Sequence, residues 1–178
     1  GALMYWAWKQ GTEGKDFRET KQAAADAGTL AHDMVEHDIY GQAFDLAGYD
    51  ESTITKAQGA FSAYKEWKEQ TNLTIAEAEV PLLSRVHRFG GTLDAILVQG
   101  KLALGDWKTS NGIYADYLLQ LSAYQILWEE NFPDRPITGG FHLLRFSKAT
   151  DDSDPVSFSH HYWSQLDVAK EQFLHLLA

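Results

Sequence analysis

Read as a pattern of apolar and polar positions, the chain is helical in its first part and strand-rich beyond it. Residues 15–27 are dense in helix formers (Lys21, Gln22, Ala23, Ala24, Ala25), Gly28-Thr29 interrupts them, and a second helical stretch runs near 29–40. Over 53–70, Ile54, Ala57, Phe61, Tyr64 and Trp67 recur three and four apart, the stripe of an amphipathic helix. The period then shortens. Residues 73–83 carry Ile75, Val80, Leu82 and Leu83 with interleaved acids. Two β-like runs, 91–98 and 101–108, meet at Gln99-Gly100-Lys101, a short glycine-containing hairpin connection. After a turn at Ser110-Asn111-Gly112, residues 113–131 form a second amphipathic stripe (Tyr114, Tyr117, Leu118, Leu121, Tyr124, Leu127, Trp128), ended by Pro133 and Pro136. Residues 138–146 and 156–162 read as strands and 163–177 as a closing helix. Strands enclosed between helical runs predict an α/β (α+β) fold, a sheet flanked by helices.

The hairpin carries the chemistry. If it is symmetric about Gly100, Val98 faces Leu102, Ile96 faces Leu104 and Asp94 faces Asp106. Strand side chains alternate, so 94, 106 and 108 project from one face, gathering two carboxylates and a lysine at one end of an apolar ribbon. Cross-strand partners stand about 4.5–5.5 Å apart at Cβ, and carboxylates that close share a proton or a cation. A hard divalent ion such as Mg²⁺ suits oxygen ligands. It would polarise a phosphoryl oxygen while Lys108 oriented water or offset transition-state charge.

Composition narrows the field. The 178 residues are 44% hydrophobic and 13% aromatic, which excludes a disordered chain, and the length suits one domain. No apolar run approaches the roughly 20 residues that span a bilayer, so no membrane association is expected. Without cysteine there are no disulfides, thiolate zinc sites, cysteine nucleophiles or cysteine-held iron–sulfur clusters. Gly1-Ala2-Leu3-Met4 lacks the basic start of a signal peptide, so a cytoplasmic location is expected; Met4 suggests a tag remnant or a trimmed chain. Twenty-five acids against 15 bases give a net charge of −10, which by itself counts against a nucleic-acid binder.

Asp94 followed by Asp106-Trp107-Lys108 after a hairpin resembles the active site of the PD-(D/E)XK nuclease superfamily, and the flanking residues resemble its RecB-type branch. Gly91-Thr92-Leu93-Asp94 matches the Gly-x-x-Asp element, with Leu93 where a proline is nominal, and Asp106-Trp107-Lys108-Thr109-Ser110 matches Asp-x-Lys-Thr. Gln120-Leu121-Ser122-Ala123-Tyr124 fits Gln-x-x-x-Tyr, Gly28-Thr29-Leu30-Ala31-His32 fits Gly-x-x-x-His, and Glu79-Val80-Pro81 sits where the family often has an acid. The elements run in order from 28 to 124, and 141–146 resembles the later core strand.

The resemblance implies a restriction-endonuclease-like core with a central mixed sheet. It implies a single nuclease domain over 1–178, with a helical part at 1–70, the catalytic sheet and helix at 73–131, and later strands and closing helix at 138–177. It implies Asp94, Asp106 and the Trp107 carbonyl as metal ligands, with His32 and Glu79 contributing, one or two Mg²⁺ or Mn²⁺ ions, and Lys108 as the catalytic lysine. Gln120 and Tyr124, one helical turn apart, would hold the site and the DNA strand. Glu77 shares a strand face with Glu79 and could exchange roles with it. The implied activity is a DNA exonuclease of phage or bacterial recombination and repair, without an iron–sulfur cluster, working with DNA and a recombination or helicase partner.

Other readings compete. A nuclease fold that binds DNA or assembles without hydrolysis would be expected to have lost a ligand or the lysine, and none is missing here. A small-molecule phosphohydrolase would call for a phosphate-cradling glycine loop, which is absent. His32 and His37 lie five apart, about 140° round a helix, so they do not make a zinc-protease motif. Trp107 should point to the core, Asp151, Asp152 and Asp154 should form a solvated loop, and at most one of His160 and His161 can face a given site. Lys9, Lys15, Arg18, Lys21, Arg85 and Arg88 are candidate phosphate contacts. Part of the acidity belongs to the site itself, so the expected DNA binding is weak, salt-sensitive and metal-dependent.

Overall fold

The structure, a computed structural model, describes residues 17–149, 151 and 153–178, with side chains from residue 25 onward. Among them run helix α1 (Phe17–Ile39), helix α2 (Glu51–Gln70), strands β1 (Thr74–Ser84), β2 (Phe89–Val98) and β3 (Leu102–Lys108), helix α3 (Asp116–Asn131), strands β4 (Phe141–Phe146) and β5 (Phe158–Trp163), and helix α4 (Asp167–Leu177). The five strands form one sheet in the order β1-β2-β3-β4-β5. β1, β2 and β3 are an antiparallel meander, β4 lies parallel to β3 after the α3 crossover, and β5 returns antiparallel. The fold is therefore α+β with a mixed sheet flanked by four helices, as expected, and is consistent with a restriction-endonuclease-like core. No helix among the described residues is long and apolar enough to cross a membrane.

Alternation along the strands sends two sets of side chains to two cores. On one face Ala95, Leu97, Ala103, Trp107, Leu144 and Phe146 pack under Leu30, Val35, Tyr64 and Trp67 of α1 and α2. On the other, Ile96, Leu104, Phe141 and Leu143 pack under Leu121, Leu127 and Trp128 of α3, with Leu166 at the start of α4. Trp107 is buried in the first core, its ring 5.4 Å from Trp67 and 5.8 Å from Phe146.

Two expectations are corrected. Gly28 does not break the N-terminal helical region: α1 runs unbroken through it. Its role is packing, since a methyl there would stand 2.9 Å from Thr109 Oγ1, just past β3. Nor is the 151–154 stretch simply solvated: Asp154 pairs with Arg145, which β4 places in a buried position where its charge needs a partner. Asp152 lies outside the described residues. The other boundaries shift by up to four residues; α2 begins at Glu51 because Asp50 caps it, accepting the Thr53 N–H at 2.9 Å.

Candidate active site

The β2–β3 hairpin has the expected register: Val98 pairs Leu102, Ile96 pairs Leu104 and Ala95 pairs Gly105, about a Gly100 whose φ of +72° makes the turn. The paired register ends there, one position short of Asp94 and Asp106. Asp94 Oδ2 accepts the Trp107 N–H at 2.6 Å, so a carboxylate takes a β3 amide beyond the last paired residues. β3 meanwhile pairs on its other side with β4, Asp106 opposite Leu143 and Lys108 opposite Arg145. The side chain of Asp94 thus locks the two strand ends together.

Asp106 is fully buried, and neither of its oxygens has a hydrogen bond of good geometry, although Lys108 Nζ stands 2.8 Å from Oδ2. Burial, then the charge of Asp94, pushes the Asp106 carboxyl well above the ordinary range. Burial also pushes Asp94 up to about 6, against the opposing pull of Asp106, the Trp107 N–H and Lys108. Buried carboxylate oxygens without partners are costly, and a divalent cation would satisfy them.

A second observation has the same chemistry. His32, Glu79 and Asp94 each present one ligand atom, and the three atoms lie within 4.8 Å of one another, so this cluster could bind a metal ion. His32 Nδ1 is 3.9 Å from Glu79 Oε1 and 3.7 Å from Asp94 Oδ1, too far for hydrogen bonds between them. The packing of α1 at Gly28 puts His32, one turn later, over the strand ends. His37 turns away, its Nδ1 2.7 Å from the Asp33 carbonyl and its ring against Phe44.

Glu79 reaches the cluster through irregular backbone. Ala78 pairs Ala95 and Val80 pairs Leu93, which brackets Glu79 opposite Asp94 after a bulge near Ile75 and Glu77. Glu79 has φ +49°, in the left-handed region that non-glycine residues rarely occupy. Tyr40 steadies this edge: its hydroxyl donates to Ala78 O at 2.7 Å and accepts the Ala78 N–H at 3.3 Å. Glu77 goes elsewhere, 2.7 Å from Arg135 Nη2, whose guanidinium lies over Trp128. The structure therefore separates the two acids and brings Glu79 to Asp94.

Lys108 is held from several sides. Its Nζ donates to Gln120 Oε1, and Gln120 Nε2 donates to Tyr124 Oη at 2.6 Å, which fixes the amide's orientation. The ammonium also sits 4.7 Å over the Tyr117 ring. Tyr124 has room because Gly91 lacks a side chain; a methyl there would be 3.1 Å from Tyr124 Cε1. Burial and the charges of Asp94 and Asp106 raise the Tyr124 hydroxyl, keeping it protonated.

The side chains of His32, Glu79, Asp94, Asp106, Lys108, Gln120 and Tyr124 thus converge on one end of the sheet. Trp107 contributes its backbone there and its ring to the core. Tyr40 and Tyr117 were not singled out as site residues from sequence. Tyr117 was legible, since Tyr117, Gln120 and Tyr124 recur three and four apart on one helix face; Tyr40, just past a helix end, lies outside any periodic pattern. Arg85 and Arg88 are exposed in the turn that closes β1 and β2, well along the strands from Asp94. Lys9 and Lys15 lie outside the described residues, and the side chains of Arg18 and Lys21 outside those described.

No family model matches this chain, and no curated protein matches it in sequence. Among solved structures, the fold is similar to a crystal structure named as that of a putative exonuclease from Eubacterium rectale, with a TM-score of 0.55 at 12% identity. The match covers 85% of this chain and 63% of the other, so the chain spans less than two thirds of that protein's length. The likeness establishes a shared fold.

Proposed function

We propose that the protein is a metal-dependent DNA nuclease of the PD-(D/E)XK superfamily, RecB-type branch, acting as an exonuclease in phage or bacterial DNA recombination and repair. The observation that carries this reading is the pair of buried acids Asp94 and Asp106, set just past the last paired residues of the hairpin beside Lys108, itself held by Gln120 and Tyr124. Five ordered sequence elements and the fold shared with the Eubacterium protein support it.

Asp94, Asp106, Glu79 and His32, with the Trp107 carbonyl, would hold one or two Mg²⁺ or Mn²⁺ ions. When bound, these would supply Lewis-acid polarisation of the phosphoryl group and a more acidic water. The remaining work falls to the chain's own residues. The reaction would be phosphodiester hydrolysis: a water oxygen bonds to phosphorus and gives up a proton to solvent, one P–O ester bond breaks, and its electron pair leaves on an alkoxide that takes up a proton from solvent. Lys108, aimed by Gln120 Oε1, places a fixed positive charge where phosphoryl oxygens gain negative charge. Tyr124 acts through Gln120, holding the amide so that its oxygen meets the lysine. The substrate would be DNA, at a cytoplasmic location, and a recombination or helicase partner would supply affinity that the acidic surface lacks.

The test is cleavage of labelled linear DNA in Mg²⁺ or Mn²⁺ by the wild type, Asp106→Ala and Lys108→Ala. The wild type should cleave, and each variant should lose about three orders of magnitude or more. Wild-type rates in either variant would overturn the mechanism. Binding without cleavage under any divalent ion would replace it with a DNA-binding module. Circular DNA cut as fast as linear DNA would overturn the exonuclease assignment alone.

A further inference from the structure

On the sheet face away from Asp106, the far ends of β3, β4 and β5 line an open cavity of about 350 Å³. Gly105 pairs with His142 and Asp106 with Leu143, so alternation puts His142 and Asp106 on opposite faces. The polar and aromatic wall consists of Gln99, Lys101, Thr138, Gly139, His142 and Tyr162.

His142 is nine-tenths buried, and its protons are set by a relay that starts in the core. The Trp67 indole can only donate, and it donates to His160 Nδ1 at 3.3 Å. Neutral His160 therefore carries its hydrogen on Nε2, which lies 2.7 Å from His142 Nδ1. His142 Nδ1 must then accept, leaving its own hydrogen on Nε2, the nitrogen the relay does not use. Adding a proton to either ring would set two N–H groups against each other, so the relay favours both rings neutral. Burial lowers His142 to about 4, in keeping with this.

The other groups are complementary. Lys101 and Thr138 add a cation and a hydroxyl, and no carboxylate is among the described residues lining the cavity. The Tyr162 ring is pressed over Gly140, whose φ is +84° and where a methyl would come within 2.6 Å of Tyr162 Cε2. It is braced by His142 at 5.0 Å between ring centroids yet remains 55% exposed. Donors and a cation without an acid favour a phosphate; a positioned aromatic ring with an open face suits a nucleobase. The volume lies within the roughly 300–1,000 Å³ usual for small-molecule sites and far exceeds what inorganic phosphate fills.

We propose that this cavity is a second site, distinct from the candidate active site, that binds a nucleoside monophosphate. The phosphate sits at Lys101, Thr138 and His142 Nε2–H, and the base stacks on Tyr162. The site stands on its own geometry, and its occupancy does not require DNA cleavage.

Calorimetric titration with dAMP, ribose 5-phosphate and inorganic phosphate, in the presence of chelator, tests it. dAMP should bind the wild type saturably, and Lys101→Glu should weaken it about tenfold or more. Ribose 5-phosphate and phosphate should bind about tenfold more weakly than dAMP, a gap that Tyr162→Ala should close. Long-range ¹H–¹⁵N spectra should show His142 and His160 as Nε2–H tautomers, with the His142 signal moving on dAMP addition. Asp106→Asn should bind dAMP as the wild type does, whether or not the protein proves to be a nuclease. Absent dAMP binding, unchanged affinity in Lys101→Glu, equal affinity for ribose 5-phosphate, or loss of dAMP binding in Asp106→Asn would each overturn the proposal.

Discussion

Two aspartates in this molecule meet lysines with opposite consequences. Asp38, at the end of α1, receives Lys65 at 2.9 Å, Lys68 at 2.8 Å and the Tyr64 hydroxyl at 3.0 Å. Burial alone would raise its pKa, but these three donors overcome it and hold the carboxyl at about 2. Asp106 has one lysine, a second acid nearby and no well-directed donor, and its carboxyl is raised. The first arrangement ties α1 to α2. The second leaves a carboxylate needing more positive charge than the protein supplies. Residue type and a nearby lysine do not distinguish a structural acid from a candidate ligand; the count of donors and the depth of burial do.

The largest expected effect comes from removing the unsatisfied acid. Asp106→Asn should abolish metal-dependent cleavage yet stabilise the metal-free protein by about 1–3 kcal/mol at neutral pH, since it relieves a buried charge pair. Thermal unfolding in chelator checks this, at about 2–4 °C per kcal/mol for a chain of this size. Mn²⁺ should raise the melting temperature of the wild type and leave that of the variant nearly unchanged; a lower melting temperature for the variant in chelator would break the comparison.

Asp38→Asn should do the reverse, destabilising by about 1–2 kcal/mol because the carboxylate is partly exposed and its lysines reach solvent. The pH dependence has a definite sign. The folded pKa of about 2 lies below the unfolded value of about 3.9, so Asp38's stabilisation is complete above pH 4 and lost as pH falls toward 2. Denaturant midpoints measured between pH 2 and pH 5 should converge for wild type and variant at the acid end and separate above it. The smallest effect is expected at Tyr117→Leu, which removes a contact of about 0.5–1 kcal/mol under Lys108. Cleavage should fall several-fold with melting temperature nearly unchanged, and an unaltered rate would show that Gln120 and Asp106 suffice to place the lysine.

Much of this was legible in the order of residues. The hairpin register could be fixed because period-two alternation and one glycine leave little freedom, and Asp94, Asp106 and Lys108 followed from it. Helix α3 was legible for the same kind of reason, its aromatic stripe naming the buried face. What escaped prediction depends on contacts between distant segments. Gly28 looks like a helix breaker until Thr109, eighty-one positions away, is seen beside it. Glu77 and Glu79 are equivalent by alternation; a bulge, a positive φ and Arg135 make them different. The Trp67–His160–His142 relay joins three elements and leaves no local pattern at all.

The single parallel pairing in the sheet has a consequence for the order of folding. Glu79, Asp94, Asp106 and Lys108 lie on an antiparallel meander that closes through short loops, so this acidic ribbon can assemble early from chain neighbours. The β3–β4 pairing must wait for the chain to traverse α3, which also delivers Gln120 and Tyr124. Gln120 and Tyr124 can therefore act on Lys108 only once the crossover has docked. On the metal-binding reading proposed above, a nascent chain would hold the acids before the half of the site that aims the lysine, and divalent ions present during synthesis should accelerate folding rather than merely fill a finished pocket.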